Sequence, residues 1–158
     1  MSLPPYIYWL LSFVVVALAF VFLSPQLLRW QRRKELARAT QEFKVRRESL
    51  EAKFFTLATS IGKPRGLRWT NCDWKPPVRF VRDRSTGMLT ALVSVEIHFE
   101  AIEGGGMEDV AAVGDVRDAS AVFHYEDGSW GTGGKALFNM NPETAVDKLE
   151  HQFEAMPV

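Results

Sequence analysis

The sequence predicts an α+β protein with one transmembrane helix near its N-terminus. Three observations support this class: an uncharged apolar run, a long stretch without glycine or proline, and a change to strand periodicity after residue 66. They predict a transmembrane helix continued by a long helix, then a curved antiparallel sheet of about five strands with a C-terminal helix.

The apolar run is Tyr6–Leu28, which contains no charged side chain. A helix of about 20 apolar residues crosses the roughly 30 Å of bilayer hydrocarbon. Pro25 predicts either a kink or the end of one helix and the start of another. A cleaved signal peptide is disfavoured because residues 1–5 hold no Lys or Arg and the run is long. We expect a single-pass membrane anchor over residues 1–28, with the lipid bilayer as a partner.

Candidate membrane-interface residues flank this run. Aromatic rings favour both membrane–water interfaces, and positively charged residues next to a span stay on the cytoplasmic side. We therefore predict that the N-terminus lies outside and the C-terminal domain in the cytoplasm. The single cysteine, Cys72, excludes an internal disulfide framework and agrees with a reducing compartment. The interface candidates are Tyr6, Tyr8, Trp9, Arg29, Trp30, Arg32, Arg33 and Lys34.

The zero net charge conceals an asymmetry. Residues 29–84 carry 16 Lys and Arg against 6 Asp and Glu, whereas residues 85–158 carry 3 against 13. The basic half has no recognisable nucleic-acid motif, so no nucleic acid partner is expected. We assign residues 29–61 to a basic juxtamembrane stalk helix that leads into the domain, and residues 62–158 to a soluble α+β domain.

The stalk helix reaches Ile61, because no glycine or proline occurs between Gln26 and that residue. Arg46 and Arg47 interrupt its apolar stripe, which favours packing of Phe43–Ile61 on its own sheet over self-association, with a dimeric stalk as the alternative. Gly62, Pro64 and Gly66 predict the end of the helix. The apolar stripe consists of Leu36, Ala39, Phe43, Leu50, Phe54, Leu57 and Ile61.

Strand patterns follow from residue 67. Met88–Ile102 alternates most regularly: odd positions from 89 to 101 are apolar, and even positions from 90 to 100 are polar except Leu92, so we expect one buried and one largely wet face. Asp127-Gly128 predicts a tight hairpin, and the glycines at 131, 133 and 134 predict a bulge or a close backbone approach. The other predicted strands are Leu67–Trp74, Val78–Asp83, Ala119–Tyr125 and Ser129–Met140, with Lys75-Pro76-Pro77 separating the first two.

A terminal helix begins at Asn141, which fits an N-cap followed by proline at the first helical position. Its apolar face is expected to include Ala145, Val146, Leu149 and Phe153. The segment 103–118 has no clear pattern, with Val110–Val113 as a short strand or helical turn. This order of elements is similar to the cystatin-like and NTF2-like folds, in which a helix lies in the concave face of a curved sheet; the similarity is one of element order alone.

Motifs for cofactor or metal chemistry are missing from the sequence. The glycines before Lys135 lack the spacing of a phosphate-binding loop, and no paired cysteine or histidine spacing indicates a zinc site. The acidic segment (Glu100, Glu103, Glu108, Asp109, Asp115, Asp118) does not fit an EF-hand loop. We therefore expect neither a metal nor a cofactor.

Catalytic candidates are restricted to His98 and His124, each paired with Asp118 or Asp115 if the fold brings them within hydrogen-bond reach. For both histidines a surface position is favoured, because nothing in the sequence positions a partner.

Four aromatic residues could line a ligand pocket on the curved sheet: Trp69, Trp74, Phe99 and Trp130. Together with Phe80 and Phe123 they could equally form the core, which is favoured because a domain of this size needs large buried side chains.

Two functions remain open. The sequence favours a single-pass, membrane-anchored, non-enzymatic binding module facing the cytoplasm, with a protein partner or a second copy of the chain. The alternative is a small-molecule pocket of NTF2-like type, as in a hydrolytic or isomerase-type enzyme that uses a His/Asp pair for acid–base chemistry.

Overall fold

The structure, a computed structural model, describes residues 5–61, 66–106 and 116–156. For residues 5, 7, 8, 10, 11 and 16 it describes the backbone alone. The chain forms two compact units, Met1–Thr40 and Gln41–Val158. Several sequence predictions lie outside the described residues: those for Gly62, Pro64, Glu108, Asp109, Val110–Val113 and Asp115, and for the side chain of Tyr8.

Helix α1, Pro5–Ile61, is continuous and holds Pro25 in its interior. Of the two alternatives at Pro25, the end of one helix and the start of another is therefore wrong. A proline removes one backbone donor, and the good helix formers that follow it maintain the remaining hydrogen bonds. By length and composition the apolar part of α1 could cross a membrane, and none of that apolar window is buried.

In the described part of the second unit, six strands form an open, curved antiparallel sheet. Its path is β4-β3-β2-β1-β6, with β5 also paired to β3. The predicted α+β class, with a long helix before the sheet and a short helix after it, is confirmed. The strands are β1 Leu67–Asp83, β2 Leu89–Ala101, β3 Arg117–Glu126, β4 Ser129–Gly131, β5 Ala136–Phe138 and β6 Phe153–Ala155.

Strand β1 unites the two strands predicted on either side of Lys75-Pro76-Pro77, so the predicted break there is wrong. The pairing with β2 shifts between Trp74 and Val78, which places the two prolines in a bulge. Strand β6 pairs with β1 at Val81–Asp83, beyond the prolines. A proline without an N–H is tolerated at a bulge, where the ladder is already interrupted. The guanidinium of Arg47 donates a 2.7 Å hydrogen bond to the Lys75 carbonyl at this bulge.

The predicted strand Ser129–Met140 is two short strands, β4 and β5, which pair with opposite ends of β3. Asp127 and Gly128 both have positive φ, at 50° and 76°, as the predicted tight hairpin requires. Gly134 confirms the predicted close approach: a Cβ there would lie 2.7 Å from the backbone nitrogen of Ala58 in α1.

The terminal helix α2, Pro142–Lys148, begins as predicted, since the Asn141 side chain accepts a hydrogen bond from the Thr144 N–H at 2.8 Å. It ends earlier than predicted, however. Phe153 belongs to β6 and pairs with Asp83, because pairing with β1 is available to the chain after the helix. A sixth strand was missed.

The inner face of the sheet packs against the 41–61 part of α1. Phe43 and Phe54 are almost wholly buried and contact Phe80, Phe123, Trp69, Trp74 and Trp130 with ring centroids 5.0–6.3 Å apart. Part of the outer face carries a second core beneath α2, to which the edge strand β6 contributes Phe153. Its buried residues are Val81, Leu92, Val122, Ala145 and Phe153.

Candidate functional site

The candidate site is the polar half of the outer sheet face, which we call the outer polar cluster. Its members are Asn71, Asp73 and Lys75 on β1, Glu96 and His98 on β2, and Asp118 on β3. Antiparallel pairing brings them together: Asp73 pairs with Glu96, Asn71 pairs with His98, and Glu96 pairs with Asp118. Paired residues project from the same face of a sheet.

A hydrogen-bonded chain orders the centre of this cluster. His98 Nε2 lies 2.7 Å from Asp73 Oδ2, and Asn71 Nδ2 donates to Asp73 Oδ1 at 2.8 Å. The side chains of His98 and Asp73 are 34% and 46% exposed, so the pair is accessible to solvent. A carboxylate bonded to one imidazole nitrogen fixes the ring orientation and leaves Nδ1 for other contacts.

Lys75 occupies the carboxylate side of the cluster. Its Nζ lies 2.8 Å from Glu96 Oε2. This hydrogen bond, together with the charges of Glu96, Asp73 and Asp118, raises the pKa of Lys75. A fixed ammonium among carboxylates balances their charge. Within the described ranges no three His, Cys, Asp or Glu side chains are arranged to hold a metal ion.

The predicted acid–base pairings differ from those observed. His98 has Asp73 as its partner, whereas Asp118 pairs across the strands with Glu96. His124 lies 3.4 Å from the Thr90 hydroxyl, and burial lowers its pKa. His124 lies six positions from Asp118 along β3, a span of roughly 20 Å, so these two do not form a pair. The sequence prediction missed Asp73 and Asn71.

His124 instead lines an open cleft of about 410 Å³ on another part of the domain. Lys53, Glu126 and Asp127 also line it, so both charge signs face the opening. A second cleft, of about 400 Å³, lies beside α2 and includes the 2.7 Å ion pair of Arg79 and Glu143. Neither cleft contains a member of the outer polar cluster.

The four predicted pocket aromatics lie on the inner face, away from the polar cluster. Trp69 and Trp130 are buried, and Trp74 and Phe99 are half-buried. Trp69 contacts Phe99 with ring centroids 5.4 Å apart.

Cys72 shares the inner face through its pairing with Ile97. Burial, assisted by the charge of Asp73, raises the pKa of the Cys72 thiol to about 12. This cysteine therefore remains a thiol at neutral pH, which makes it a poor nucleophile.

The membrane-interface candidates belong to the first unit. Tyr6, Trp9 and Trp30 are 63%, 79% and 54% exposed. Lys34 Nζ lies 3.6 Å from the centroid of the Trp30 ring, a cation–π contact. Arg29, Arg32, Arg33 and Lys34 are all exposed.

The fold and the cluster define a small α+β domain with an ordered polar face, preceded by a helix long and apolar enough to span a membrane. Comparison with known proteins extends this description no further: the chain matches no family model, no curated protein and no solved structure.

Proposed function

We propose that this chain is a single-pass membrane protein that holds a non-enzymatic binding domain at the cytoplasmic face of the bilayer. The observation that carries the proposal is the exposure of its largest apolar side chains. Trp9, Phe13 and Phe20 are 74–79% exposed within an uncharged run. Full burial of such a side chain is worth about 1.5–3 kcal/mol, so a run of them favours lipid over water.

The spacing of the aromatic residues supports a transbilayer position. Trp9 and Trp30 are 21 positions apart on one helix, which corresponds to roughly 32 Å at 1.5 Å per residue. This length matches the roughly 30 Å of hydrocarbon between the two interfaces where tryptophan is enriched.

Orientation follows from the cations. Arg29, Arg32, Arg33 and Lys34 follow the apolar run, and the residues before it carry no Lys or Arg. Positive residues next to a span usually remain on the cytoplasmic side, which supports the proposed cytoplasmic position of the domain. The variant Glu126→Cys in a Cys72→Ala background, which places a single cysteine at an exposed position, tests this orientation. An impermeant maleimide should not label it in intact cells but should label it after lysis.

The outer polar cluster is the proposed binding surface, and its partner is a protein or a second copy of the chain. Hydrogen bonds join Asn71, Asp73 and His98, and an ion pair joins Lys75 and Glu96, before a partner arrives, which lowers the entropy lost on binding. A photo-crosslinker at Asp118 should give adducts in intact membranes, and one at exposed Thr56 on α1 serves as the matched control. Equal adducts at both positions, or none at either, would contradict this surface.

Membrane insertion is tested with the double variant Val15→Asp/Leu18→Asp. An aspartate near the centre of a span costs about 2.5–3.5 kcal/mol, so the two together cost roughly 6 kcal/mol. We expect the chain to leave the carbonate-resistant membrane fraction while its domain still folds. The matched control, Val45→Asp/Ala52→Asp, changes exposed positions of α1 in the second unit and should remain in the membrane. Retention of the Val15→Asp/Leu18→Asp variant in the membrane fraction would contradict the proposed insertion.

The His98–Asp73 hydrogen bond favours a second candidate, an acid–base enzyme of hydrolytic or isomerase type that acts at the solvent-accessible outer polar cluster. With Nε2 bonded to a carboxylate, Nδ1 can accept a proton from water or from a substrate. Hydrolysis of p-nitrophenyl acetate by the full chain tests this candidate. His98→Asn and Asp73→Asn should each lower the rate at least about 100-fold, while exposed His151→Asn should not. Equal rates in all three variants remove it.

A further inference from the structure

A dense group of exposed cations follows the apolar run. Five of the ten residues from 29 to 38 are Lys or Arg, and Glu35 is the one acidic residue among them. We call these five the basic collar: Arg29, Arg32, Arg33, Lys34 and Arg38. None of them has an ion-pair partner among the residues that the structure describes.

Many cations of the second unit, in contrast, are paired with carboxylates. Arg46, Arg47 and Arg68 bond Glu42, Glu51 and Glu100 at 2.7–3.2 Å. Lys75 and Arg79 are also paired with carboxylates. With Glu35 counted against its five cations, the segment from 29 to 38 keeps a net charge of +4, and a partner with negative charge would complement it.

Helix geometry distributes this charge around the whole circumference of α1. At 3.6 residues per turn, Arg29, Arg32 and Arg33 fall within an arc of about 100°, while Lys34 and Arg38 lie on the opposite side. A groove on a protein partner covers one side of a helix. A layer of lipid headgroups, by contrast, surrounds a helix with negative groups on all sides.

Depth along the helix agrees with this arrangement. Arg29 to Lys34 covers roughly 8 Å of helix, close to the thickness of one headgroup layer. The Lys34 ammonium contacts the Trp30 ring at 3.6 Å, which places a cation beside a residue type that favours the interface. Long cationic side chains can extend toward phosphates while their apolar stems remain against the lipid.

We infer that the basic collar selects anionic phosphate headgroups of the lipids around the helix, such as those of phosphatidylserine, over zwitterionic ones. The inference rests on the proposed membrane insertion and adds the lipid class that the inserted helix recruits. A cation close to an anionic surface is worth about a fivefold change in binding. Several together should enrich anionic lipid beside the chain, less strongly when salt screens the charges.

The test uses the full chain in nanodiscs of mixed phosphatidylcholine and phosphatidylserine. Energy transfer from Trp30 to a labelled lipid, taken as the difference between the full chain and its Trp30→Phe variant, reports which headgroup adjoins the collar. At low salt we expect the labelled phosphatidylserine to be enriched at least about fivefold over labelled phosphatidylcholine, and the enrichment to disappear near 1 M salt.

A charge-matched pair of variants separates position from net charge. Arg29→Gln/Arg32→Gln/Arg33→Gln/Lys34→Gln removes the four cations of the roughly 8 Å layer and should abolish the enrichment, because Arg38 lies roughly 6 Å further along the helix. The control removes four cations from exposed positions of the second unit, at Lys44, Lys53, Lys135 and Lys148, each changed to Gln. This control should keep the enrichment of the parent chain.

Failure of the proposed membrane insertion can be distinguished from failure of the proposed lipid selectivity. A chain that never enters the nanodisc contradicts the proposed function, whereas an inserted chain with equal annular lipids contradicts the lipid selectivity alone. Release of phosphatidylserine by inorganic phosphate at matched ionic strength would overturn selection of a lipid in favour of a free anion. Displacement of the lipid by single-stranded nucleic acid would overturn it in favour of a nucleic acid partner.

Discussion

The two faces of the sheet are built from the same strands but differ in what covers them. On β2, odd positions such as Val95 and Ile97 point to the inner face and are almost wholly buried against the aromatic layer below α1. Even positions point to the outer face, where Leu92 is buried but Glu100 is exposed. The inner face of β2 is buried from Leu89 to Ile97, whereas the outer face is buried only near Thr90 and Leu92.

The lengths of the elements explain this difference. Strand β2 has 13 residues and extends about 43 Å at 3.3 Å per residue, whereas α2 has 7 residues and extends about 10 Å. A helix that short covers the part of the sheet around Leu92. The rest of the outer face stays wet, and there the side chains must be polar. The outer polar cluster occupies this uncovered part.

The largest expected loss of stability distinguishes the two faces of the sheet at two adjacent positions of β2. Ile97→Asn places an unpaired amide in the inner core and should cost about 3–5 kcal/mol of the free energy of unfolding. His98→Asn, on the outer face, should cost at most about 1 kcal/mol, because the amide remains in contact with water. Urea unfolding of the full chain in detergent measures both. Similar costs would mean that the faces are not distinct.

Leu92 tests whether the covered half of the outer face is a true core. Leu92→Ala should cost about 2–5 kcal/mol, since the side chain is fully buried in the core beneath α2. Glu100→Ala, on the wet half of the same face, should change the unfolding free energy by at most about 1 kcal/mol, the usual range for an exposed ion pair. A cost below about 1 kcal/mol for Leu92→Ala would show that α2 does not seal this region.

Gly134 tests the contact between the sheet edge and α1. Its φ is +73°, and an added Cβ would lie 2.7 Å from the Ala58 nitrogen and 3.0 Å from the Leu57 carbonyl carbon. Gly134→Ala should therefore destabilise the domain by about 1–3 kcal/mol. Gly133→Ala is the matched control, since nothing lies within 4 Å of its Cβ position. Thermal unfolding should place this control within a few degrees of the parent chain.

The smallest expected effect is the pH dependence of stability. The Ser85 hydroxyl and the N–H groups of Ser85 and Thr86 bond the Asp83 carboxylate, and these bonds lower the pKa of Asp83. The stabilisation from Asp83 is complete above its unfolded pKa of about 4 and is lost as the pH falls through the folded pKa.

His124 acts at higher pH. Burial lowers the pKa of His124, so the unfolded chain binds this proton more tightly, and stability declines as the pH falls below about 6.5. Two separate declines are therefore expected in urea unfolding free energies measured between about pH 7 and pH 3. His124→Gln should remove the upper one and Asp83→Asn the lower one. A pH profile that neither substitution alters would show that other groups control the acid response.

Much of the fold could be predicted because local patterns decide it. The alternation along Met88–Ile102 identified β2 and its buried face, and Asp127-Gly128 identified the hairpin through its demand for positive φ. The N-cap at Asn141 located the start of α2. Each of these features depends on a few neighbouring residues.

The missed features depend on residues far apart in the chain. Two prolines locally favour a break, yet β1 continues through them because pairing with β2 on both sides of the bulge outweighs the local interruption. Likewise Phe153 continues the apolar spacing of α2, but pairing with β1 makes it a strand residue. The candidate site was missed in part for the same reason. Nothing near His98 in the sequence indicates Asp73, 25 positions away.

The sequence by itself determined the helix long and apolar enough to span a membrane, the alternation of β2 and the turn chemistry. These features can be recognised from composition and periodicity, because each depends on residues that are close together in the sequence. Only the tertiary structure decided the strand register. The register of β1 and β2 brings Asp73 next to His98, and the bulge between these strands exposes the Lys75 carbonyl that Arg47 bonds. Register is a property of two strands together, because shifting either by one residue moves its side chains to the other face.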